Sequence, residues 1–195
     1  NEGLEVLGTI QCNEITSSDS SEVTINNLRT QVITANDSTE ILVNDAMRVS
    51  GLITGTATQA QYADLAEIFA TDDLTLEPGD VVHFSGNKKV GLCDQDAHSS
   101  VAGVISTEPG FVLNGGAGEK GSRDKTHPKV AMVGRCPCKV KGKISKGDRL
   151  VSSSTKGVAR KADLTKDSAY AIIGRAIEAH DADGEGTIEI AVARN

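Results

Sequence analysis

LEPGDVV, residues Leu76–Val82, and ISKGDRLV, residues Ile144–Val151, are two versions of one phrase. Each places an apolar residue, a Gly-Asp pair and an apolar strand start in the same order, at an offset of 68 from Gly79 to Gly147. A polar turn follows each, Ser85–Lys89 in the first and Ser152–Gly157 in the second, and then a valine, Val90 or Val158. Further on, each copy reaches an apolar run around a glycine, VAGVI at 101–105 and AIIGRAI at 171–177. The unit is therefore a strand, a [PK]-G-D turn, a strand, a polar hairpin, a strand and a final apolar strand around a glycine, written twice. A Gly-Asp pair also tempts a catalytic reading. Its duplication favours structure: glycine supplies positive φ at a turn, and aspartate accepts from nearby backbone N–H groups.

Composition agrees with short strands and turns. The 195 residues include 20 Gly, 4 Pro, no Trp, 2 Tyr and 3 Phe, too few large anchors for an ordinary single-core enzyme. A net charge of −7 argues against a nucleic-acid partner. The basic run Lys139–Lys146 alternates with apolar residues, as a strand with a solvated face does. No apolar run reaches the ~18 residues of a membrane span, and no secretory signal is visible. The first residue is Asn1, and a patterned segment begins at once, so a piece of a longer protein is expected.

Upstream of the duplicated units the chain repeats on a shorter scale. SSEVTINN (20–27) returns as STEILVND (38–45), and Leu4-x-Val6-x-Gly8-x-Ile10 returns as Met47-x-Val49-x-Gly51-x-Ile53. Each unit offers three or four aliphatic residues on one face. One such strand cannot offset the entropy of ordering its own backbone. Three chains wound on one axis can, by sharing a core. Residues 1–55 are expected to be an intertwined trimeric shaft, with Leu4, Val6, Ile10, Val23, Ile25, Ile41, Val43 and Val49 in the shared interface. The rival is a monomeric β binding module of a bacterial surface protein, with residues 1–55 docked as hairpins on the second half.

Between shaft and units lies TATQAQYADLAEIF (56–69), expected to be a neck within 56–73. Ala60, Ala63 and Ala66 with Tyr62, Leu65 and Phe69 admit a short helix, and alternation over Ala63, Leu65, Glu67 and Phe69 admits a strand. In either form the small side chains of Ala63 and Ala66 let three chains approach. Residues 74–195 are then a globular head.

No catalytic constellation is evident. The four histidines are His83, His98, His127 and His180; Ser99 and Ser100 follow His98, but adjacent residues on a strand point apart, and no G-x-S-x-G elbow occurs. Cys136-Pro137-Cys138 places two thiols on one side of a strand. A metal site or a strained disulfide is conceivable there, but no second ligand pair is near, and small buried apolar residues fit better. Reduced thiols suit assembly in a cytoplasm. The segment from His180 to Glu185 lacks the positions of a calcium loop. The Gly-rich stretch Asn114–Lys129 lacks phosphate-loop spacing and reads as a long surface loop. If the head touches a ligand, Asn114, Lys120, Arg123, Asp124, Lys125 and His127 are the candidates. No cofactor is expected.

The succession GTATxAxYADLAE (55–67), [PK]-G-D, VAGVIS (101–106) with Pro109-Gly110, VAMVGR (130–135) and KGDRL (146–150) resembles the C-terminal region of tail-fibre and related virion proteins of tailed phages, notably those infecting cyanobacteria. The resemblance covers about residues 47–195. Where such sequences have Val-Pro-Val, this chain has Cys-Pro-Cys. The resemblance implies an all-β fold with an intertwined trimeric shaft and a barrel-like head. It implies a non-enzymatic virion component, made in the host cytoplasm, that caps a fibre or binds a host-surface receptor such as a glycan or outer-membrane component, beside other virion proteins. A fainter likeness to self-cleaving appendage chaperones of the peptidase G2 type implies a rival role as a trimerising chaperone. No catalytic residue of that type carries over.

Overall fold

The computed structural model describes residues 63–115 and 123–193. The shaft expectation and its interface residues Leu4, Val6, Ile10, Val23, Ile25, Ile41, Val43 and Val49 lie outside the described residues, as does Lys120. Nearly all the regular secondary structure of the described residues is strand. Ten strands follow in order: β1 (Asp64–Ile68), β2 (Val81–Gly86), β3 (Lys89–Leu92), β4 (Val101–Ile105), β5 (Phe111–Leu113), β6 (Lys129–Lys141), β7 (Arg149–Ser152), β8 (Ala159–Lys161), β9 (Gly174–Ala176) and β10 (Glu185–Val192). One helical turn, α1 (Arg123–Thr126), and a 3-10 turn at Ala169–Ala171 interrupt them.

The second half closes on itself. β10 pairs with β9, β9 with β7, and β7 with β8, all antiparallel. β8 meets β6 in parallel at Val140 and Ala159, and β6 returns to β10 through an eight-residue antiparallel ladder, Glu185–Lys141 to Val192–Gly134. The result is a closed five-stranded barrel. Alternation along β6 and β10 sends Cys136, Cys138, Val140, Ile188, Ile190 and Val192 into one core with Leu150, Ala159 and Ala176.

The first half repeats the same circuit. β1, β6, β4, β2 and β3 are successive antiparallel neighbours. The turn from β3 back to β1 is a parallel bridge, Ala70 with Lys89, as the corresponding contact of the second barrel is parallel. The Val90 N–H donates to the Ala70 carbonyl at 2.9 Å, and the buried Thr71 hydroxyl donates to the Val90 carbonyl at 2.8 Å. Val82, Val90, Ala102, Ile105 and Val130 pack here with Phe69, Leu76 and Met132. β6 thus serves twice. Its first five residues stand where β10 stands in the second barrel, and its last eight stand where β1 stands in the first.

The duplicated turns explain the repeat in atomic terms. Gly79 and Gly147 have φ of 87° and 88°. The Asp80 carboxylate accepts the Glu77 N–H at 2.7 Å, and the Asp148 carboxylate accepts the Ser145 N–H at 2.8 Å. Each glycine N–H donates to the strand that follows its own hairpin, Gly79 to the Ile105 carbonyl and Gly147 to the Ala176 carbonyl, both at 2.8 Å. Those strands answer with Ile105 N–H to Asp80 O and Ala176 N–H to Asp148 O. Both aspartates also face a lysine: Asp80 meets Lys139 at 2.8 Å and Asp148 meets Lys161 at 2.9 Å.

The segment 56–69, open between helix and strand from sequence, is extended over Asp64–Ile68. Partners on both sides, β5 and β6, satisfy its backbone and outweigh the helix propensity of its alanines. Ala63 is exposed. Ala66 is fully buried, set between Val112 of β5 and Ala131 of β6 in the chain's own sheet.

The second glycine of each unit is a matter of space. Gly103 pairs with Val82 and Gly174 with Leu150, equivalent positions in the two barrels. A Cβ on Gly103 would run into the Ala131 carbonyl oxygen of β6, and one on Gly174 into the Ala191 carbonyl oxygen of β10. Gly86 has nothing within 4 Å of where its Cβ would stand. Gly103→Ala and Gly174→Ala are each expected to cost more than about 3 kcal/mol in urea unfolding, while Gly86→Ala stays within about 0.5 kcal/mol of the parent.

Candidate binding surface

The loop between β5 and β6 brings two of the sequence candidates together. Asn114 closes β5 with φ 56°, and its side-chain amide donates to the Ile68 carbonyl at 2.9 Å. His127 follows α1, its Nδ1 2.9 Å from the Thr126 hydroxyl. These two residues line a cleft with Glu67, Ile68, Phe69, Ala70 and Lys88. The Phe69 ring packs edge-on against Phe84, with centroids 5.6 Å apart. Arg123 and Asp124 lie on α1, and Lys125, on the same turn, is exposed. Lys125 does not line the cleft with Asn114 and His127.

A second cluster escaped the sequence reading. His83 on β2 and His98, in the loop before β4, stack with ring centroids 4.3 Å apart. The His98 Nδ1 accepts the Ser100 N–H at 3.1 Å and lies 3.2 Å from the Ser100 hydroxyl. Burial, and then the neighbouring His83, lower the pKa of His98. The loop is tied across to the second barrel, with the His98 N–H donating to the Ser152 hydroxyl and that hydroxyl donating to the Gln95 carbonyl. Fifteen positions separate the two histidines, and nothing in their spacing announces a contact. No carboxylate is hydrogen-bonded to either ring, so among the described residues Ser100 and His98 lack the third group that would orient a base. The described residues also hold no group of three or more metal-ligating side chains.

An ion-pair network spans the loops of both units. The Arg160 guanidinium grips both oxygens of Asp167, at 2.7 and 2.9 Å, and reaches Asp96 at 2.9 Å. The Arg160 hydrogen bonds hold the carboxyls of Asp167 and Asp96 below the usual aspartate value.

The thiols sit where small apolar residues were expected. Cys136 and Cys138 are 2% and 0% exposed, on the inward face of β6 opposite Ile190 and Ile188. Cys93 is fully buried as well. Burial pushes Cys93 and Cys136 up to about 12, and raises Cys138 well above the ordinary thiol value.

No protein-family model and no curated protein matches the sequence. Solved structures do. The pre-mature gene product 12 of bacteriophage phi29 superimposes with a TM-score of 0.56 at 16% identity, over 74% of this chain and 24% of that one. The head therefore shares a fold with part of a phage protein, and the chain spans about a quarter of that protein's length. The C-terminal fragment of the same phi29 protein aligns at TM-score 0.48 and 16% identity, over 67% of this chain and 100% of the fragment. The base of the phi29 head fibre gp8.5 aligns at 0.38 and 13%, over 67% and 94%.

The thiols yield a direct check. Near pH 8 almost none of Cys93, Cys136 or Cys138 is thiolate, and none is open to reagent. Iodoacetamide is expected to leave all three unlabelled in the native protein and to label all three in guanidinium chloride, read peptide by peptide by mass spectrometry.

Proposed function

We propose that this chain is the distal part of a trimeric phage tail fibre or spike, a structural virion protein that attaches to the host surface or caps the fibre. The observation that carries the reading is the fold shared with phi29 gene product 12. The repeats of residues 1–55 support it, because single aliphatic strands need copies of themselves for a core. Its partners are two further copies of the chain, other virion proteins, and a host receptor of glycan or outer-membrane type. The role is non-enzymatic. The cleft of Glu67, Phe69, Lys88, Asn114 and His127 is the first place for the receptor contact, since it combines an aromatic edge with donors and acceptors.

A second reading attaches to Asp64. This carboxylate is 6% exposed, its Oδ2 has no hydrogen-bond partner among the described residues, and it lies within 56–74, where a self-cleaving appendage chaperone is expected to cut. Intact mass of the expressed chain separates the two readings. An uncut chain belongs to the fibre, and a cut within 56–74 belongs to the chaperone.

Antibodies against the 195-residue chain test the fibre reading directly. They are expected to decorate the appendage tips of purified phage particles in electron micrographs, and their Fab fragments to reduce adsorption to host cells. Particles that carry the protein nowhere would end the proposal.

A further inference from the structure

The stacked histidines of the first barrel are set against proton uptake. The His98 Nδ1 accepts the Ser100 N–H, so the ring is neutral there and carries its proton on Nε2. The His83 Nδ1 is buried and has no hydrogen-bond partner among the described residues. A proton on the His98 Nδ1 would point one donor at another. A proton on the His83 Nδ1 would bury an N–H with no acceptor. With both rings charged, two cations would face each other with centroids 4.3 Å apart. Burial and His83 lower the pKa of His98 and outweigh Asp94, the carboxylate on the same loop that favours the charged ring. From β7, the groups that meet the backbone of this loop are the neutral Ser152 hydroxyl and carbonyl.

The loop that carries His98 straps one barrel to the other. The Ala97 N–H donates to the Ser152 carbonyl at 3.0 Å, and the His98 N–H to the Ser152 hydroxyl at 2.9 Å. Ala97 is held at φ 48°, a left-handed conformation that alanine seldom adopts. Asp96, one residue earlier, is anchored separately, by Arg160 at 2.9 Å and the Ser154 N–H at 3.1 Å. The Arg160 hydrogen bond holds its carboxyl below the usual aspartate value, so this anchor stays charged in mild acid. Beyond His98, Ser99 and Ser100 form one wall of a cleft with Phe84 and Tyr170.

We propose that proton uptake by the His83–His98 pair releases residues 97–100 from β7 and moves the Ser99–Ser100 wall of that cleft, while the Asp96 anchor holds. The segment is a latch that mild acid opens. In the open loop His98 titrates near the ordinary value of about 6.5, and in the closed loop lower. The latch is therefore at full strength above about pH 6.5 and weakens as pH falls from there toward the closed-loop value, because the open form binds the proton more tightly.

NMR of the full chain tests the latch by imidazole titration and amide exchange. His98 is expected to titrate below 6.5. Protection of the Ala97, His98 and Ser100 amides, corrected for intrinsic exchange, is expected to fall by about threefold or more between about pH 7.5 and pH 5. The Ser154 amide, bound to the Asp96 carboxylate, keeps its protection. His98→Asn sets an amide oxygen where Nδ1 stands, an acceptor for the Ser100 N–H that does not titrate, and is expected to make loop protection independent of pH over this range. His83→Phe keeps a ring in the stack without a second charge. It is expected to raise the His98 value and shrink the loss, and it keeps the test decisive if His98→Asn does not fold. A His98 that titrates at or above 6.5, a parent loop that keeps its protection at pH 5, or an equal loss in either variant overturns the proposal. So does a Ser154 amide that opens together with the loop.

Discussion

The antiparallel pairing of β6 along its whole length is the contact on which the rest of the head depends. From Lys129 to Val133 the strand is flanked by β1 and β4, and from Gly134 to Lys141 by β10, with β8 touching at Val140. Neither barrel closes without it. A short strand could satisfy one barrel, but these thirteen residues satisfy both, so the two cores share one backbone. The Cys136, Cys138 and Val140 row fills the second barrel, while Val130 fills the first. The first barrel is then held against the second by main-chain bonds as well. Val81 N–H donates to Gly157 O, Gly157 N–H to Cys93 O, and Lys139 N–H to Gly79 O, each at 2.8 Å.

With a spine of this kind the protein manages with few aromatic residues. Small β-branched and sulfur side chains fill narrow barrels, and the strands come close enough that glycine is required where one backbone crosses another. The two carboxylates of the duplicated turns do what a larger core does elsewhere. They fix each entry strand by accepting a local N–H and facing a lysine. Such a head tolerates variation in its loops, because the turns and the spine carry the fold, and loops on a rigid β scaffold are where recognition residues can be exchanged.

The duplication was legible because its signal is local. Gly79-Asp80 and Gly147-Asp148 write their turn chemistry into neighbouring residues, and an apolar run around Gly103 or Gly174 marks the strand that closes each unit. The double role of β6 was not legible, because it lies in pairings between residues far apart in the chain, and alternation announces a strand without naming its partners. For the same reason Asp64–Ile68 could not be settled between helix and strand until β5 and β6 were seen on either side of it. In the candidate surface, Asn114 and His127 were visible as the ends of a Gly-rich loop. Phe69, just after β1, and Lys88, in the turn between β2 and β3, share their cleft but stand far from them in sequence, so nothing in the spacing announced it. The FVL run of β5 was an available signal, three consecutive apolar residues before Asn-Gly, but its alignment with Leu65 and Val133 appears only with the register.

Hydrogen exchange of the native protein, resolved to single amides, tests the shared spine most directly. The amides of Gly134–Lys141 and Glu185–Val192 are expected to be the slowest in the head, and both barrels to lose protection when that ladder opens. If β2, β3 and β4 stayed protected after β6 and β10 had exchanged, the first barrel would stand without the spine, and β6 would not be the contact that both barrels depend on.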